Sequence, residues 1–264
     1  MYHKIKLNTK YSNYSKRKFG SEINTIIIHY TELGFKDSYN ILTKSGKVSS
    51  HFLISEKGDI HQLVPLEFKA WHAGESFWSG KNDINQYSIG IEIVNKGMKL
   101  KFLNNKVQIL NINTFSNNIY FALAKLICEL KKMYPKIQDK NIIGHSDITA
   151  KNLRKIDPGI AFDWKFLNIL GHGIYHEIEK RDNNKIIFKL GDKGQNIELL
   201  QNKLKKLGYE INYNGLFDRH LANVIFAFNL HYLQHLNITS SQINYGIWDI
   251  NSEKVLEKIT QYIT

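Results

Sequence analysis

The chain has 264 residues, of which 42% are hydrophobic and 23% charged, which is typical of one large or two modest folded domains and excludes an intrinsically disordered chain. It contains no run of 18 or more apolar residues, so the sequence predicts no transmembrane helix, and its basic N-terminus lacks the apolar region of a signal peptide. The formal net charge of +12 favours a polyanionic partner, such as nucleic acid, an anionic membrane surface or a cell-wall polymer, but a solvated lysine-rich surface explains it equally well.

The first strongly patterned segment, INTIIIHYT, is short, apolar and rich in β-branched residues, so it predicts a buried central strand that ends near His29. The segments VSSHFLIS and IHQLVP then flank Lys57, Gly58 and Asp59, a pattern that predicts a hairpin. Strand ends are where α/β proteins gather their ligands, which makes His29 a candidate site residue. A single histidine among 11 is, however, more often structural.

The segment SIGIEIVN alternates strictly and places Ile89, Ile91 and Ile93 on one face of a strand, with Gly90 and Glu92 on the other. Burial of Glu92 among such neighbours would raise the pKa of its carboxyl group, as a general base and acid requires. Gly90 on the same face leaves room for another group to approach. The alternative is that Glu92 faces solvent on the polar side of an edge strand.

The segment FSNNIYFALAKLICELKKMYP predicts an amphipathic helix that ends before Pro135. Its apolar face consists of Ile119, Leu123, Leu126, Leu130 and Met133. The only cysteine, Cys128, excludes an internal disulfide, and we predict a buried, inert thiol at this position. The segment KNIIGHSD then predicts a short strand with His145 just past its end. Strands mixed with helices predict an α/β fold, with a central mixed β-sheet flanked by helices.

Residues 144–164, GHSDITAKNLRKIDPGIAFDW, form a polar segment that contains His145, Lys155 and Asp157. In an extended segment, Lys155 and Asp157 project to the same side, so an ammonium group and a ligand could converge on one point. Pro158 and Gly159 would fix the direction of the Asp157 carboxylate. Taken alone, Asp157 is more typical of a turn than of a ligand, and Lys155 is more typical of a solvated surface.

The pattern of the sequence changes after residue 171, from mixed strand and helix signals to mainly helical ones. A polar stretch, HEIEKRDNNK, predicts a linker, and three amphipathic helices follow it. The first predicted helix ends at a glycine cap, Gly208. The second spans about residues 221–236, and the third is NSEKVLEKITQYI. We therefore predict two domains, residues 1–180 and a small three-helix domain of residues 186–264.

Five segments, in chain order, carry a resemblance to a known family: INTIIIHYT, SSHFLISEKGDIHQLV, AWHAG, SIGIEIVN and GHSDITAKNLRKIDPGIAFDW. Over about residues 24–170 the chain resembles the zinc-dependent N-acetylmuramoyl-L-alanine amidases of the amidase-2 family. The resemblance implies that His29, His145 and Asp157 bind one zinc ion and that Glu92 and Lys155 are catalytic. Related peptidoglycan-recognition proteins with amidase activity carry a cysteine as third ligand, so Asp157 places the chain with the bacterial enzymes.

The implied reaction is hydrolysis of the amide between the lactyl group of N-acetylmuramic acid and the L-alanine of a stem peptide, in peptidoglycan or in soluble muropeptides. In this reaction Glu92 acts as base and acid, and Lys155 stabilises the oxyanion. The resemblance also suggests substrate-binding residues, which are His51, Trp71, His72, Ala73 and Asn95. For His51 and Trp71 a role in the core is an equal alternative, and Asn95 could merely cap the strand.

The C-terminal segment resembles small peptidoglycan-binding domains through GDKGQNIELLQNKLKKLGY, then Gly215, Phe217, Asp218 and Phe228. It departs from them at Leu221, Val224 and Asn229, so a stabilising helical cap is the alternative. Two other functions compete with a zinc amidase: a peptidoglycan-binding module without turnover, and a nucleic-acid-binding protein, which only the charge suggests. We expect a monomer that binds no nucleic acid and that acts at the cell envelope, with the cytoplasm as alternative.

Overall fold

The computed structural model describes residues 3–4, 13–44, 46–103, 106–178, 185–234 and 242–263. The strands in this part of the chain are β1 (His3–Lys4), β2 (Tyr14–Lys16), β3 (Thr25–Tyr30), β4 (Phe52–Ile54), β5 (Ile60–Gln62), β6 (Phe68–Ala70), β7 (Phe77–Trp78), β8 (Lys81–Asn82), β9 (Ser88–Ile93), β10 (Met98–Phe102), β11 (Lys106–Ile112), β12 (Ile142–Gly144), β13 (Ile186–Lys189), β14 (Gln242–Asn244) and β15 (Ile247–Asp249). The α-helices are α1 (Phe35–Lys44), α2 (Asn117–Met133), α3 (His145–Ile148), α4 (Trp164–Ile169), α5 (Gln195–Leu207), α6 (Arg219–Tyr232) and α7 (Ile250–Ile263). None of these helices is long and apolar enough to cross a membrane.

Six strands form a central mixed sheet in the order β1-β5-β4-β9-β3-β12. Strands β4, β9, β3 and β12 run parallel, and β5 pairs antiparallel with β4 through the predicted hairpin. The predicted central strand β3 is buried along its whole length, with β9 and β12 on its two edges and hydrophobic clusters on both faces. The expected α/β class, with helices flanking a mixed sheet, is therefore confirmed.

The two faces of the sheet have different partners because successive side chains of a strand alternate between them. On one face, Ile26, Ile28 and the three isoleucines of β9 pack against α2. On the other face, Ile27 and Ile143 belong to a hydrophobic cluster that includes residues of α5, α6 and α7. His29 has the parity of Ile27, so its side chain lies on the face that the C-terminal helices partly cover.

Two predictions for helix α2 were wrong. Cys128 is exposed, and Met133 keeps 51% of its surface accessible. The buried face of α2 comprises Ile119, Tyr120, Leu123, Leu126, Ile127 and Leu130. Cys128 lies two positions after Leu126, about 200° around the helix, so its thiol points away from the sheet. Met133 is the last residue of the helix.

The C-terminal helices pack directly against the sheet-containing half. Every residue of α6 from Leu221 to Tyr232 is buried, which is typical of a helix inside a larger core. In addition, β14 pairs with β11, which adds a C-terminal strand to the β10–β11 hairpin. The proposed domain division stays a prediction, and most of the predicted linker, residues 179–184, lies outside the described residues.

Candidate active site

Three ligand-type side chains meet at the carboxyl ends of β3 and β12. His29 lies near the end of β3, and His145 directly follows β12. His29 Nδ1 lies 3.0 Å from His145 Nδ1 and 3.1 Å from Asp157 Oδ2, and His145 Nδ1 lies 3.2 Å from the same oxygen. All three side chains are buried. The structure thus brings together the three predicted ligands, which form a potential metal site.

The donor set fits a zinc ion. A tetrahedral zinc with ligand bonds of about 2.0–2.1 Å separates its ligand atoms by about 3.3 Å. The three atoms here are 3.0–3.2 Å apart. Burial alone would raise the pKa of Asp157, but the adjacent imidazoles of His145 and His29 hold it well below its ordinary value. Burial, together with His145, lowers the pKa of His29 to about 4, so its ring is neutral, as metal binding requires.

A chain of hydrogen bonds fixes the tautomer of His29. The Ser88 hydroxyl donates to the Ile84 carbonyl at 2.7 Å and can therefore accept from His72 Nε2 at 3.2 Å. His72 Nδ1 is then the acceptor for His29 Nε2–H, 3.0 Å away. This leaves the lone pair of His29 Nδ1 directed at the potential metal site.

Gly90 makes the position of the His72 ring possible. A Cβ atom at Gly90 would lie 2.4 Å from the ring of His72. The alternation in SIGIEIVN predicted room for another group beside Gly90. In the structure that group is the ring of His72. Burial lowers the pKa of His72 well below its ordinary value, and His29 acts in the same direction, so the ring is neutral and can serve as an acceptor.

The backbone of Ala73 orients the second imidazole. His145 Nε2 lies 3.2 Å from the Ala73 carbonyl, to which it donates, so Nδ1 is again the atom free to bind a metal. The amide of Ala73 in turn donates to Asn85 Oδ1 at 2.8 Å. The guanidinium of Arg154 also donates to the Ala73 carbonyl, at 2.7 Å. Ala73 itself is fully buried and supports the site through its backbone.

Glu92 lies opposite His29 in the register of the parallel strands β9 and β3. Its Oε2 atom is buried and has no hydrogen-bond partner among the described residues. Burial raises the pKa of Glu92 to about 8; repulsion by Asp157 acts in the same direction, and Lys155 opposes it. The alternative of an edge strand is wrong, because β9 lies between β4 and β3. A carboxyl group in this environment is suited to proton transfer.

The site opens into a cleft of about 400 Å³, within the range of small-molecule sites. Glu92 and Lys155 line it together with the three potential ligands, and so do Trp71 and His72. The cleft therefore brings together all five residues to which the family resemblance gave a role in metal binding or catalysis. Arg154 and Asn85 also line it, although no sequence motif predicted a role for either.

The remaining predicted substrate residues are held differently. His51 is fully buried, with Nδ1 accepting from the Gly90 amide at 3.0 Å and Nε2 lying 3.1 Å from the Phe68 carbonyl. The Asn95 side chain accepts from the Gly97 amide at 2.6 Å and donates to the Thr114 carbonyl at 3.1 Å, so it organises a turn. Trp71 donates through Nε1 to Ser15 Oγ at 3.2 Å while it lines the cleft. Substrate binding by these residues stays a prediction.

Fold and site together define a class of protein: an α/β protein with three potential metal ligands beside a carboxyl group whose Oε2 atom is buried, an arrangement suited to metal-assisted hydrolysis. The comparisons agree with this class. Residues 19–160 match the Amidase_2 family, described as N-acetylmuramoyl-L-alanine amidase. Because this match covers more than half of the chain, the chain belongs to that family, as the five motifs predicted, and is an N-acetylmuramoyl-L-alanine amidase by class.

Individual relatives extend the likeness beyond the matched segment. The chain is 31% identical to the N-acetylmuramoyl-L-alanine amidase AmiD of Escherichia coli over 80% of this chain and 75% of that protein. It is 33% identical to the 1,6-anhydro-N-acetylmuramyl-L-alanine amidase AmpD of Haemophilus influenzae over 58% of this chain and 85% of that protein. A structure of E. coli AmiD with anhydro-N-acetylmuramic acid-L-Ala-D-γ-Glu-L-Lys superposes with a TM-score of 0.73 and 26% identity, covering 94% of this chain and 93% of that one.

Proposed function

We propose that this chain is a zinc-dependent amidase that cleaves the bond between the lactyl carbonyl of N-acetylmuramic acid and L-alanine. The observation that supports this most directly is the triangle of His29, His145 and Asp157, with Glu92 opposite His29 in the sheet. A zinc ion held by these three residues would supply Lewis acidity and lower the pKa of a water molecule in the site.

The chain's own residues account for the proton transfers. Glu92 takes a proton from the attacking water at its buried Oε2 and returns it to the departing amine of L-alanine. The Lys155 ammonium group stabilises the oxyanion that develops on the lactyl carbonyl. Water adds to the carbonyl carbon, the carbon–nitrogen bond breaks, and the products are a free lactyl carboxylate and the peptide.

The Glu92→Gln variant separates the chemistry from metal binding. We expect it to bind one zinc ion per chain and to have no measurable muropeptide hydrolysis, because an amide cannot accept the proton. Asp157→Ala should lose both zinc and activity. The exposed Glu67, changed to Gln, is the matched control and should keep both. Full activity in Glu92→Gln would refute the mechanism, and an inactive wild-type protein that binds zinc would favour a recognition module.

The role of Lys155 has its own test. Lys155→Ala should retain zinc and lower kcat by about 10²–10³-fold, the range that follows removal of an oxyanion donor. Lys47→Ala is a suitable control, because Lys47 also lines the cleft. A rate for Lys155→Ala equal to that of the control would remove Lys155 from the mechanism.

We also propose that the chain acts on peptidoglycan at the cell envelope. The net charge of +12 and the likeness of the C-terminal helices to peptidoglycan-binding domains support this. The names of relatives support soluble anhydromuropeptides as the alternative substrate. Digestion of purified sacculi alongside soluble anhydromuropeptides decides between them, and fractionation of the native cells tests the location. Release of peptides from anhydromuropeptides alone would contradict the envelope proposal.

A further inference from the structure

Asp147 is a buried carboxylate that lies two residues after the potential ligand His145. It is only 1% exposed. Its Oδ2 atom accepts from the Gly144 amide at 2.8 Å, which fixes the backbone directly before His145. No sequence motif predicted a functional role for this residue.

Both other hydrogen bonds of Asp147 come from the C-terminal helical part of the chain. The Tyr209 hydroxyl donates to Oδ1 at 2.5 Å, and His231 Nδ1–H donates to Oδ2 at 2.8 Å. Tyr209 and His231 are 1% and 2% exposed, so neither group can exchange this partner for solvent. A buried carboxyl group requires such hydrogen-bond partners, because burying it without them is costly.

The two donors are themselves held firmly. Tyr209 packs edge-on against Trp78 at a ring distance of 5.1 Å. The preceding Gly208 has φ 135°, and a Cβ atom there would lie 2.5 Å from Trp78. His231 stacks between Trp164 and Tyr232, with ring distances of 3.8 and 3.9 Å. The donors therefore have little freedom to follow Asp147 if it moves.

The short turn that carries Asp147 also joins two potential ligands. The Ser146 amide donates to the Asp157 carbonyl at 2.8 Å, so residues 144–147 connect His145 to Asp157. We propose that Asp147 is a positioning residue through which Tyr209 and His231 set the geometry of the zinc ligands. This inference rests on the proposed function, and it makes the C-terminal helices a structural part of the catalytic unit as well as any binding module they form.

Single substitutions in the full chain test this. Tyr209→Phe removes one donor and keeps the ring. His231→Leu removes the other donor, whereas His231→Asn retains a donor at the position of Nδ1 and should rescue. Tyr245→Phe is the matched control, because the Tyr245 hydroxyl donates at 2.6 Å to Asn223, and this bond does not involve Asp147.

Three measurements separate positioning from stability. These are the zinc dissociation constant by chelator competition, the visible spectrum of the cobalt-substituted protein, and the melting temperature of the metal-free protein. We expect Tyr209→Phe and His231→Leu to bind zinc on the order of 10-fold more weakly, at the lower end of the effect of outer-shell partners. Their cobalt spectra should shift as well, whereas those of His231→Asn and Tyr245→Phe should resemble the wild type.

Separate outcomes would contradict the positioning role of Asp147 and the proposed function. Wild-type zinc affinity and cobalt spectrum in both Tyr209→Phe and His231→Leu would overturn the inference, even if both variants melted at a lower temperature. In that case a wild-type protein that binds zinc and hydrolyses muropeptides leaves the proposed function intact. A wild-type protein that binds no zinc would overturn the proposed function and this inference together. If His231→Leu fails to fold, the zinc affinity and cobalt spectrum of Tyr209→Phe alone test the inference.

Discussion

Glu92 is held where its ionised form is costly in the metal-free protein. Its pKa is raised from 4.5 to about 8 by burial and then by Asp157. Between these two pH values the folded chain binds one more proton at this position than the unfolded chain does. The contribution of Glu92 to the free energy of unfolding is therefore complete below about pH 4.5 and is lost as the pH rises through about 8.

The difference between wild type and Glu92→Gln isolates this effect from the other titrating groups. We expect the metal-free Glu92→Gln protein to gain stability relative to wild type as the pH rises from about 4.5 to 8, because its amide cannot ionise. Urea unfolding of both proteins across this range, with chelator present, measures the difference. The Glu67→Gln control should follow wild type, and a pH-independent difference would contradict the raised pKa.

His72 is predicted to act on zinc through His29. In His72→Phe the ring shape is kept, but His29 Nε2–H loses its acceptor, 3.0 Å away in the wild type. Loss of such an outer-shell partner weakens metal binding by about 10–100-fold. Chelator competition measures this. His51→Phe is the control, because His51 is also buried but is not hydrogen-bonded to a potential ligand. Equal zinc affinity in the two variants would show that the hydrogen bond from His29 to His72 does not affect metal binding.

The sequence could identify the potential ligands but not their supports. His29, His145 and Asp157, together with the proton-transfer candidate Glu92, follow from ordered motifs and from strand ends. Ser88 and Asn85 act through His72 and Ala73, 16 and 12 residues away, and Asp147 acts through Tyr209, 62 residues away. No periodicity encodes such a pair, because a short polar side chain makes the same local pattern whether it faces solvent or a distant hydroxyl.

At the scale of elements, the period-2 and β-branched patterns were sufficient to predict β3, β9 and the β4–β5 hairpin. Helix α2 shows where the pattern fails. Its apolar residues occupy more than one stripe, and the face that the sheet covers includes Ile127 but excludes Cys128 and Met133. Only the position of the sheet decides which of two adjacent apolar residues is buried.

Because Leu126 is buried and Cys128 is exposed, substitutions at these two positions of α2 should differ in their effect on the free energy of unfolding. Leu126→Ala should lower the free energy of unfolding by about 2–5 kcal/mol, because it opens a cavity at a fully buried position. Cys128→Ser should change it by less than about 0.5 kcal/mol, since the thiol is exposed. Urea unfolding of the two variants provides the measurement. A large loss in Cys128→Ser would show that the predicted buried thiol was right after all.

At the scale of the whole molecule, the change of sequence pattern after residue 171, to mainly helical signals, indicated a separate helical unit. In the structure, Ile27 and Ile143 of the sheet share one hydrophobic cluster with Leu204, Val224 and Phe228 of the C-terminal helices. The sequence contained a partial signal of this arrangement, because α6 is apolar nearly all round, as expected for a helix buried on every side. It could not indicate what covers that helix.

The shared cluster predicts that the two halves unfold together. Amide protons of α6 should exchange with the same opening free energy as those of β3, because opening either exposes the same core. Zinc at about 100 times its Kd should stabilise the folded state by about 2.7 kcal/mol and slow exchange in both elements by the same factor. Hydrogen exchange with and without zinc measures this. If zinc slowed exchange in β3 but not in α6, the halves would open independently, and the helices could not transmit geometry to the ligands.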